Sequence, residues 1–451
     1  MDPLAAARAQ MAFSLGFHMI FAATGMALPL MMVLAEGYWL RSGQPHALQL
    51  AKTWAKATAV LFAVGAVSGT ALSFELGLLW PRFMAFAGPL VGPAFALEGY
   101  AFFIEAIFIG LYLYGWDRLR PLTHWLCGWP VVLGGAFSGI IVLATDSWMQ
   151  APAGFVLGPN GLPTDIQPLA AIFNPAFLRM AAHSTFATYQ AVGFAAAGVY
   201  ATALLRNRRP EHARYNRLAL IVALLLAAPS AVVQPVLGDL LGKRLYDAQP
   251  AKLAAMEGQF QTERGAPLRI GGWPNPDTGV TSGAIEIPKG LSYLAADDPN
   301  AKVLGLDAFP RDEWPATQVV HAAFQLMVGF GFLMLGIVAW FCGAWLWDGR
   351  HGQDWTRRRR LLGTLALSAP LGFAALEAGW VVTEVGRQPW IIYQVMRTSA
   401  AVTPIPEVRF TFVGFLVLYT GLLVTVTFLL RRLARGETER LGESESSPHA
   451  A

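Results

Sequence analysis

The 451-residue chain draws 55% of its residues from the hydrophobic set and only 14% from the charged set, against about a quarter charged in an average soluble domain. That balance excludes intrinsic disorder and most soluble classes, and recurring apolar runs of about 18 residues or more point to a bilayer as the solvent. Cys127 and Cys342 both lie in apolar runs, which excludes a disulfide framework and a multi-cysteine metal site, and the net charge of +4 identifies no partner by itself.

Apolar runs bounded by charges and by Pro/Gly clusters predict an all-α integral membrane protein of about nine bundled transmembrane helices. The predicted spans cover residues 11–35, 57–79, 95–114, 125–144, 177–205, 218–237, 319–345, 361–384 and 410–430. The first is longer than a signal-peptide core and lacks a basic flank, so it reads as a retained helix. The expected organisation is six spans over residues 1–237, a long loop over 238–318 rich in Gly, Pro, Asp and Lys, three spans over 319–432, and an irregular tail over 433–451 ending GESESSPHAA.

Lys and Arg orient the bundle, because short cytoplasmic loops collect them. One set of connections, from Arg41 through Arg118, Arg206, Arg208, Arg209 and Arg357 to Arg440, holds 19 of them, and the opposite set, the long loop excluded, holds 6. The richer side is read as cytoplasmic, which places the N-terminus and the long loop outside and the C-terminus inside.

Ionisable groups near a bilayer centre cost about 2.5 to 3.5 kcal/mol each even on a lenient scale, so those retained there invite a functional reading. This chain has His18, Glu75, Glu98, Glu105, Asp146, His183, Glu377 and Glu384 in its spans, with Met327 as a possible soft ligand. Ser14, Ala22 and Gly25 put small side chains on the His18 face, where a flat macrocycle could lie; the alternative is a core histidine bonded to a neighbouring helix. His183 repeats the pattern with Ala176 and Ala187, and Met327 has Gly331 one turn on. Methionine is ordinarily gap filler and gains weight only opposite a histidine, since His/Met is an axial set for electron-transfer haem. Glu98/Glu105 and Glu377/Glu384 each lie seven apart, two turns on one helical face. Such stacks suit proton relay or metal ligation, or are acids protonated or paired with Arg at the interface. Two histidines, a methionine and several glutamates favour haem iron over zinc or copper without choosing a reaction.

The segment Gly379-Trp380-Val381-Val382-Thr383-Glu384-Val385-Gly386-Arg387-Gln388-Pro389-Trp390 resembles the GW-x-x-x-E-x-GRQPW signature of subunit I of cytochrome bd-type quinol oxidases. Leu97-Glu98-Gly99, Gly115-Trp116-Asp117-Arg118, Ser147-Trp148-Met149-Gln150 and Lys252-Leu253-Ala254-Ala255-Met256-Glu257 resemble further family motifs, in the family's order and over essentially the whole chain.

The resemblance implies a respiratory quinol:oxygen oxidoreductase of the bacterial cytoplasmic membrane, with haems near the outer face and a quinol site in the long loop, the Q-loop. Its cofactors are a low-spin haem b, a high-spin haem b, and haem d or a third haem b, with ubiquinol as substrate. By the same resemblance His183 and Met327 are the axial ligands of the low-spin haem, and His18, Glu98 and Glu384 surround the two high-spin haems, with His18 and Glu384 as iron ligands. Lys252 and Glu257 bind quinol, Trp380 stands between haems, Arg387 lies beside haem carboxylates, and Glu105 and Ser138 belong to a cytoplasmic proton route. The implied partners are a second helical subunit, a small single-helix subunit, quinol, dioxygen and lipid, with no nucleic acid. Protons released outside by quinol and taken from inside by oxygen would make the reaction electrogenic without a pump. The alternative is a membrane cytochrome or ion-pathway protein that does not reduce oxygen. Glu105 to Trp116 resembles the cyanide-insensitive branch, whereas Glu75, Asp146 and Gln325 depart from the residues common in the family, and the Q-loop is of the short kind.

Overall fold

The computed structural model describes residues 3–206, 210–405 and 407–446. In chain order its helices are α1 (Pro3–Ser42), α2 (Pro45–Leu79), α3 (Pro81–Tyr114), α4 (Pro121–Gln150), the short α5 (Pro168–Ile172), α6 (Phe177–Arg206), α7 (Pro210–Ala248), α8 (Pro250–Glu257), α9 (Gly290–Ala296), α10 (Thr317–Arg350), α11 (Arg359–Leu367), α12 (Leu371–Val385), the one-turn α13 (Thr398–Ala401) and α14 (Val408–Ser446). Proline stands in the first turn of α2, α3, α4, α5 and α8, where its missing N–H costs nothing and its fixed φ suits the helix. Pro29, Pro89, Pro93, Pro130, Pro229 and Pro235 fall inside helices, as membrane helices tolerate when neighbours absorb the freed carbonyls.

Among the described residues eight helical segments are long and apolar enough to cross a membrane, with α11 and α12 together making one of them over Arg359–Val385. The predicted fifth span is α6, a helix of 30 residues. It has the length of its neighbours but is diluted by Arg179, His183, Ser184, Thr185, Thr188, Tyr189 and Gln190. Small residues compensate on its packed faces: a Cβ on Gly193 would lie 2.8 Å from the Ala227 nitrogen of α7, and one on Gly198 would lie 3.0 Å from Ala369 Cα.

Three other expectations change. The predicted eighth span is not one continuous helix: α11 and α12 are separated at Ser368-Ala369-Pro370, where proline cannot continue the hydrogen-bond ladder. The helix expected to end at Leu237 continues as α7 to Ala248, so the irregular part of the Q-loop begins eleven residues later than predicted. The last helix runs to Ser446, through most of the predicted tail, while residues 447–451, Arg208 and Arg209 lie outside the described residues.

Antiparallel neighbours α1/α2, α3/α4, α6/α7 and α10/α12 make the closest helix pairs, and α1 also touches α4, α6, α7, α12 and α14. A core of Met31, Met32, Leu50, Phe194, Leu220, Leu361 and their neighbours joins these helices. The Q-loop holds α8, α9 and three small antiparallel ribbons: Glu263–Arg264 with Lys302–Val303, Leu268–Ile270 with Ile285–Ile287 in the register Leu268↔Ile287, and Trp273–Asn275 with Val280–Ser282. Ala266, Leu291 and Val303 form its own small core, with Tyr246 and Leu268 against it. Strands of two or three residues are too short for periodicity to reveal.

Candidate functional site

A cavity of about 910 Å³ lies among α1, α2, α3, α4, α6 and α12, and its wall includes His18, Glu98, Glu105, Ser138, Asp146, Trp380, Glu384 and Arg387. Six helices and the turn after α12 thus gather seven of the predicted site residues, from His18 to Arg387. Ser68 donates its hydroxyl to Gly65 O at 3.1 Å, so its oxygen accepts from His18 Nδ1–H at 3.0 Å. The tautomer protonated at Nδ1 satisfies both contacts and leaves the Nε2 lone pair free for a metal. Ala22 and Gly25 line the cavity as the spacing suggested, whereas Ser14 turns away and donates to Glu75 at 2.7 Å. Gly69 leaves the imidazole its place, since a Cβ there would sit 3.0 Å from His18 Cε1.

Glu98 and Glu105 share the cavity-facing side of α3. The Glu105 carboxylate sits in space cleared by α4 glycines: a Cβ on Gly135 would lie 3.5 Å from its Oε1, a buried atom without a hydrogen-bond partner. The second pair divides. Glu384 lines the cavity, but Glu377 faces α1, its Oε2 3.3 Å from where a Gly16 Cβ would be. Arg387, 2% exposed, bridges Asp146 at 3.1 Å and Glu384 at 2.5 Å and donates from Nε to Trp390 O. Orphaned Glu105 Oε1 and Asp146 Oδ2, an oriented histidine, an interior cation and a glycine-lined hollow together fit a large group carrying a metal and carboxylates.

His183 and Met327 lie outside this cavity. Gln234 Nε2 sits 3.3 and 3.2 Å from the two ring nitrogens of His183 and donates to its carbonyl at 3.2 Å. The helices α6 and α10 both pack on α7 and α12, and they approach each other where Gln190 meets Met334 Sδ at 3.7 Å. Gln190 is seven residues beyond His183 and Met334 seven beyond Met327, so both candidate ligands lie two turns back along the helix faces that meet there. Small residues stand beside each: a Cβ on Gly379 would lie 3.1 Å from Met327 Sδ, and one on Gly238 3.7 Å from His183 Cε1. This arrangement fits an axial pair around a flat group.

At the Q-loop end, Lys252 and Glu257 occupy the two ends of α8, both buried. Lys252 Nζ donates to Gln150 Oε1 at 3.3 Å and to Thr383 O at 3.1 Å, and its chain passes over a glycine of the signature: a Cβ on Gly386 would run into Val382 O and lie 3.0 Å from Lys252 Cε. Burial, with Arg387 nearby, pulls the Lys252 ammonium down to about 8. Burial also pushes the Glu257 carboxyl up to about 8, against the opposing pull of Arg269, and its Oε2 has no partner.

Sequence reasoning missed several polar groups. Gln249 donates to Gln150 O at 2.7 Å, Gln234 holds His183, and His321 is fully buried between carbonyls of the Q-loop. At the opposite end of the bundle Glu36 accepts from Tyr112 at 2.5 Å and sits 2.7 Å from His124 Nδ1, tying α1, α3 and α4. Glu36 and His124 lie at or just beyond the ends of the predicted apolar runs, and only their burial distinguishes them from solvated flank residues.

The family model described as "Cytochrome bd terminal oxidase subunit I" matches residues 6–438. The chain is 37% identical over 440 residues to a Bacillus subtilis (strain 168) protein named "Putative cytochrome bd menaquinol oxidase subunit I", covering 95% of this chain and 96% of the relative. It is 32% identical to the "Cytochrome bd ubiquinol oxidase subunit 1" of the same organism, covering 97% and 94%. The solved bd oxidase of Geobacillus thermodenitrificans superposes with a TM-score of 0.88 at 36% identity, over 96% of this chain and 98% of that one. This chain therefore belongs to the cytochrome bd oxidase subunit I family, as the integral membrane, haem-binding subunit of a bacterial quinol oxidase that works with a subunit II.

Proposed function

We propose that this subunit oxidises quinol beside α8 and reduces dioxygen in the large cavity, with the two sites joined by the side-chain chain Lys252–Gln150–Asp146–Arg387–Glu384. That connection carries the reading: Lys252 to Gln150 is 3.3 Å, Gln150 to Asp146 3.5 Å, Asp146 to Arg387 3.1 Å and Arg387 to Glu384 2.5 Å. His183 and Met327 would hold the low-spin haem b, and His18 and Glu384 the two high-spin haems, with Glu98 and Trp380 beside them. Bound haems supply one-electron steps between a two-electron quinol and a four-electron oxidant. Arg387 neutralises carboxylates at the cavity edge, and Glu105 and Ser138 pass protons along the α3/α4 wall toward Glu98.

The Lys/Arg asymmetry puts the Q-loop and N-terminus outside and the C-terminus in the cytoplasm. Quinol protons then leave outward while oxygen draws protons from inside, building a proton-motive force without pumping. The relatives' names include both a menaquinol and a ubiquinol oxidase, so both quinol classes belong in the assay. The purified complex is expected to show one low-spin and two high-spin haems, quinol-driven oxygen uptake that resists cyanide, and outward acidification in proteoliposomes. A complex with a single low-spin haem and no quinol-dependent oxygen uptake would overturn the reading.

A further inference from the structure

We infer that His321 and Gln325, one turn apart on α10, form a latch that positions the quinol-binding helix α8 against the helix carrying Met327. The inference rests on the reading of Lys252 and Glu257 as the quinol site. His321 is 0% exposed, with Nδ1 2.8 Å from Met256 O and Nε2 3.1 Å from Gly271 O. Both partners are carbonyl oxygens, so whichever nitrogen carries a proton donates it, and the shorter contact is to Met256, the neighbour of Glu257. A carbonyl in the last turn of a helix has no partner within that helix, and His321 satisfies this one from outside. Gln325 accepts from Gly271 N and donates to Arg269 O, both at 3.0 Å.

Two side chains of α10 therefore hold three backbone sites of the Q-loop. Arg269 in turn reaches Glu286 at 3.0 Å and Gln259 Oε1. On its other side the end of α8 is closed by Gly258 in the left-handed conformation (φ 62°), whose carbonyl accepts from Thr281 at 2.8 Å. Any side chain at Gly258 would place a Cβ 2.7 Å from Thr281 Oγ1. The near end of α8 is fixed separately by Lys252 on Gln150 and Thr383. Since Glu257 Oε2 has no partner of its own, the backbone held by His321 decides where that carboxyl points. Met327 lies six residues beyond His321, about 9 Å along the helix, so the latch also sets the separation between quinol and the low-spin haem. His321 and Gln325 are positioning residues for quinol oxidation.

The test uses the intact oxidase complex with His321→Ala, His321→Asn, His321→Gln and Gln325→Ala, assayed with a decyl-chain benzoquinol and with menadiol. Asn keeps a donor near the Nδ1 position and Gln one near Nε2. We expect His321→Ala to raise the quinol KM about tenfold, the equivalent of one buried hydrogen bond, with a smaller change in kcat. His321→Asn should restore most of the affinity and His321→Gln little of it. Gln325→Ala should raise KM less, and the low-spin haem spectrum and oxygen uptake driven by ascorbate with a diffusible phenylenediamine should stay unchanged. An unchanged KM in His321→Ala, equal effects of Asn and Ala, or parallel loss of the spectrum and mediator-driven uptake would each overturn the latch. Should Ala fail to assemble, the comparison of Asn, Gln and Gln325→Ala decides. Lys252→Met and Glu257→Gln separate the two readings: if both leave the quinol KM unchanged, the quinol-site assignment fails whatever the latch variants do.

Discussion

Gly69→Ala is expected to dislodge His18 without unfolding the protein. The new Cβ would lie 3.0 Å from His18 Cε1, 3.5 Å from Nε2 and 3.6 Å from Nδ1, whereas ordinary contact begins near 3.4 Å. The ring must therefore retreat by about 0.4 Å or more, beyond the roughly 0.2 Å within which metal–ligand distances are held. The same retreat stretches the 3.0 Å bond to Ser68 toward its limit. Overpacking of this kind costs about 1–3 kcal/mol, offset by about 1 kcal/mol from replacing a helical glycine with alanine, so the fold survives and the site suffers. Gly77→Ala is the control, because it lies on the same helix and nothing lies within 4 Å of its Cβ position. Reduced-minus-oxidised and carbon-monoxide difference spectra should show a high-spin signal altered in Gly69→Ala and preserved in Gly77→Ala, with the low-spin signal intact in both. A Gly69→Ala protein with an unchanged high-spin spectrum would refute the placement of His18 as a haem ligand.

Met327→Ala should abolish the reduced low-spin spectrum while the high-spin signals remain, and an unchanged low-spin band would show that another residue ligates. Arg387→Met strands Asp146 and Glu384 without their buried cation; removing one partner of such a set costs about 3–5 kcal/mol, read as a lowered thermal midpoint of the purified complex, with Arg387→Lys intermediate. Lys252 loses its proton near pH 8, so in a Glu257→Gln background the quinol KM should be flat below about pH 7 and climb roughly tenfold per unit well above pH 8. Glu257→Gln removes the second group that titrates there, and a KM that stays flat to pH 10 would show that the ammonium is not what holds quinol.

Much was legible in the sequence because lipid makes polar residues expensive. Long apolar runs predicted the helices, and the ionisable residues inside them largely coincide with the cavity wall, as His18, Glu98, Glu105, Asp146 and Glu384 show. The same logic could not separate Glu377 from Glu384: seven-residue spacing places both on one face of α12 but does not say which neighbour each meets, and Glu377 meets α1. It treated α6 as one more apolar span, and the helix forms there, but the close approach of Gly193 to Ala227 and of Gly198 to Ala369 was not legible in its hydropathy.

What the sequence by itself determined is the membrane class, the approximate spans, the signature around Glu384 and the set of residues too costly to keep in lipid without a role. Tertiary structure alone decided which of those residues converge. The Arg387 bridge to Asp146 spans 241 positions, Lys252 reaches Thr383 across 131, and the His321 contact with Met256 crosses 65. Such pairings depend on how helices pack against one another, and periodicity along a single chain segment carries no information about a partner that distant. The Q-loop shows the same limit at short range. Its two- and three-residue strands acquire their register from hydrogen bonds to one another and to α10, so a sequence that reads as irregular still folds to a defined platform for Lys252 and Glu257.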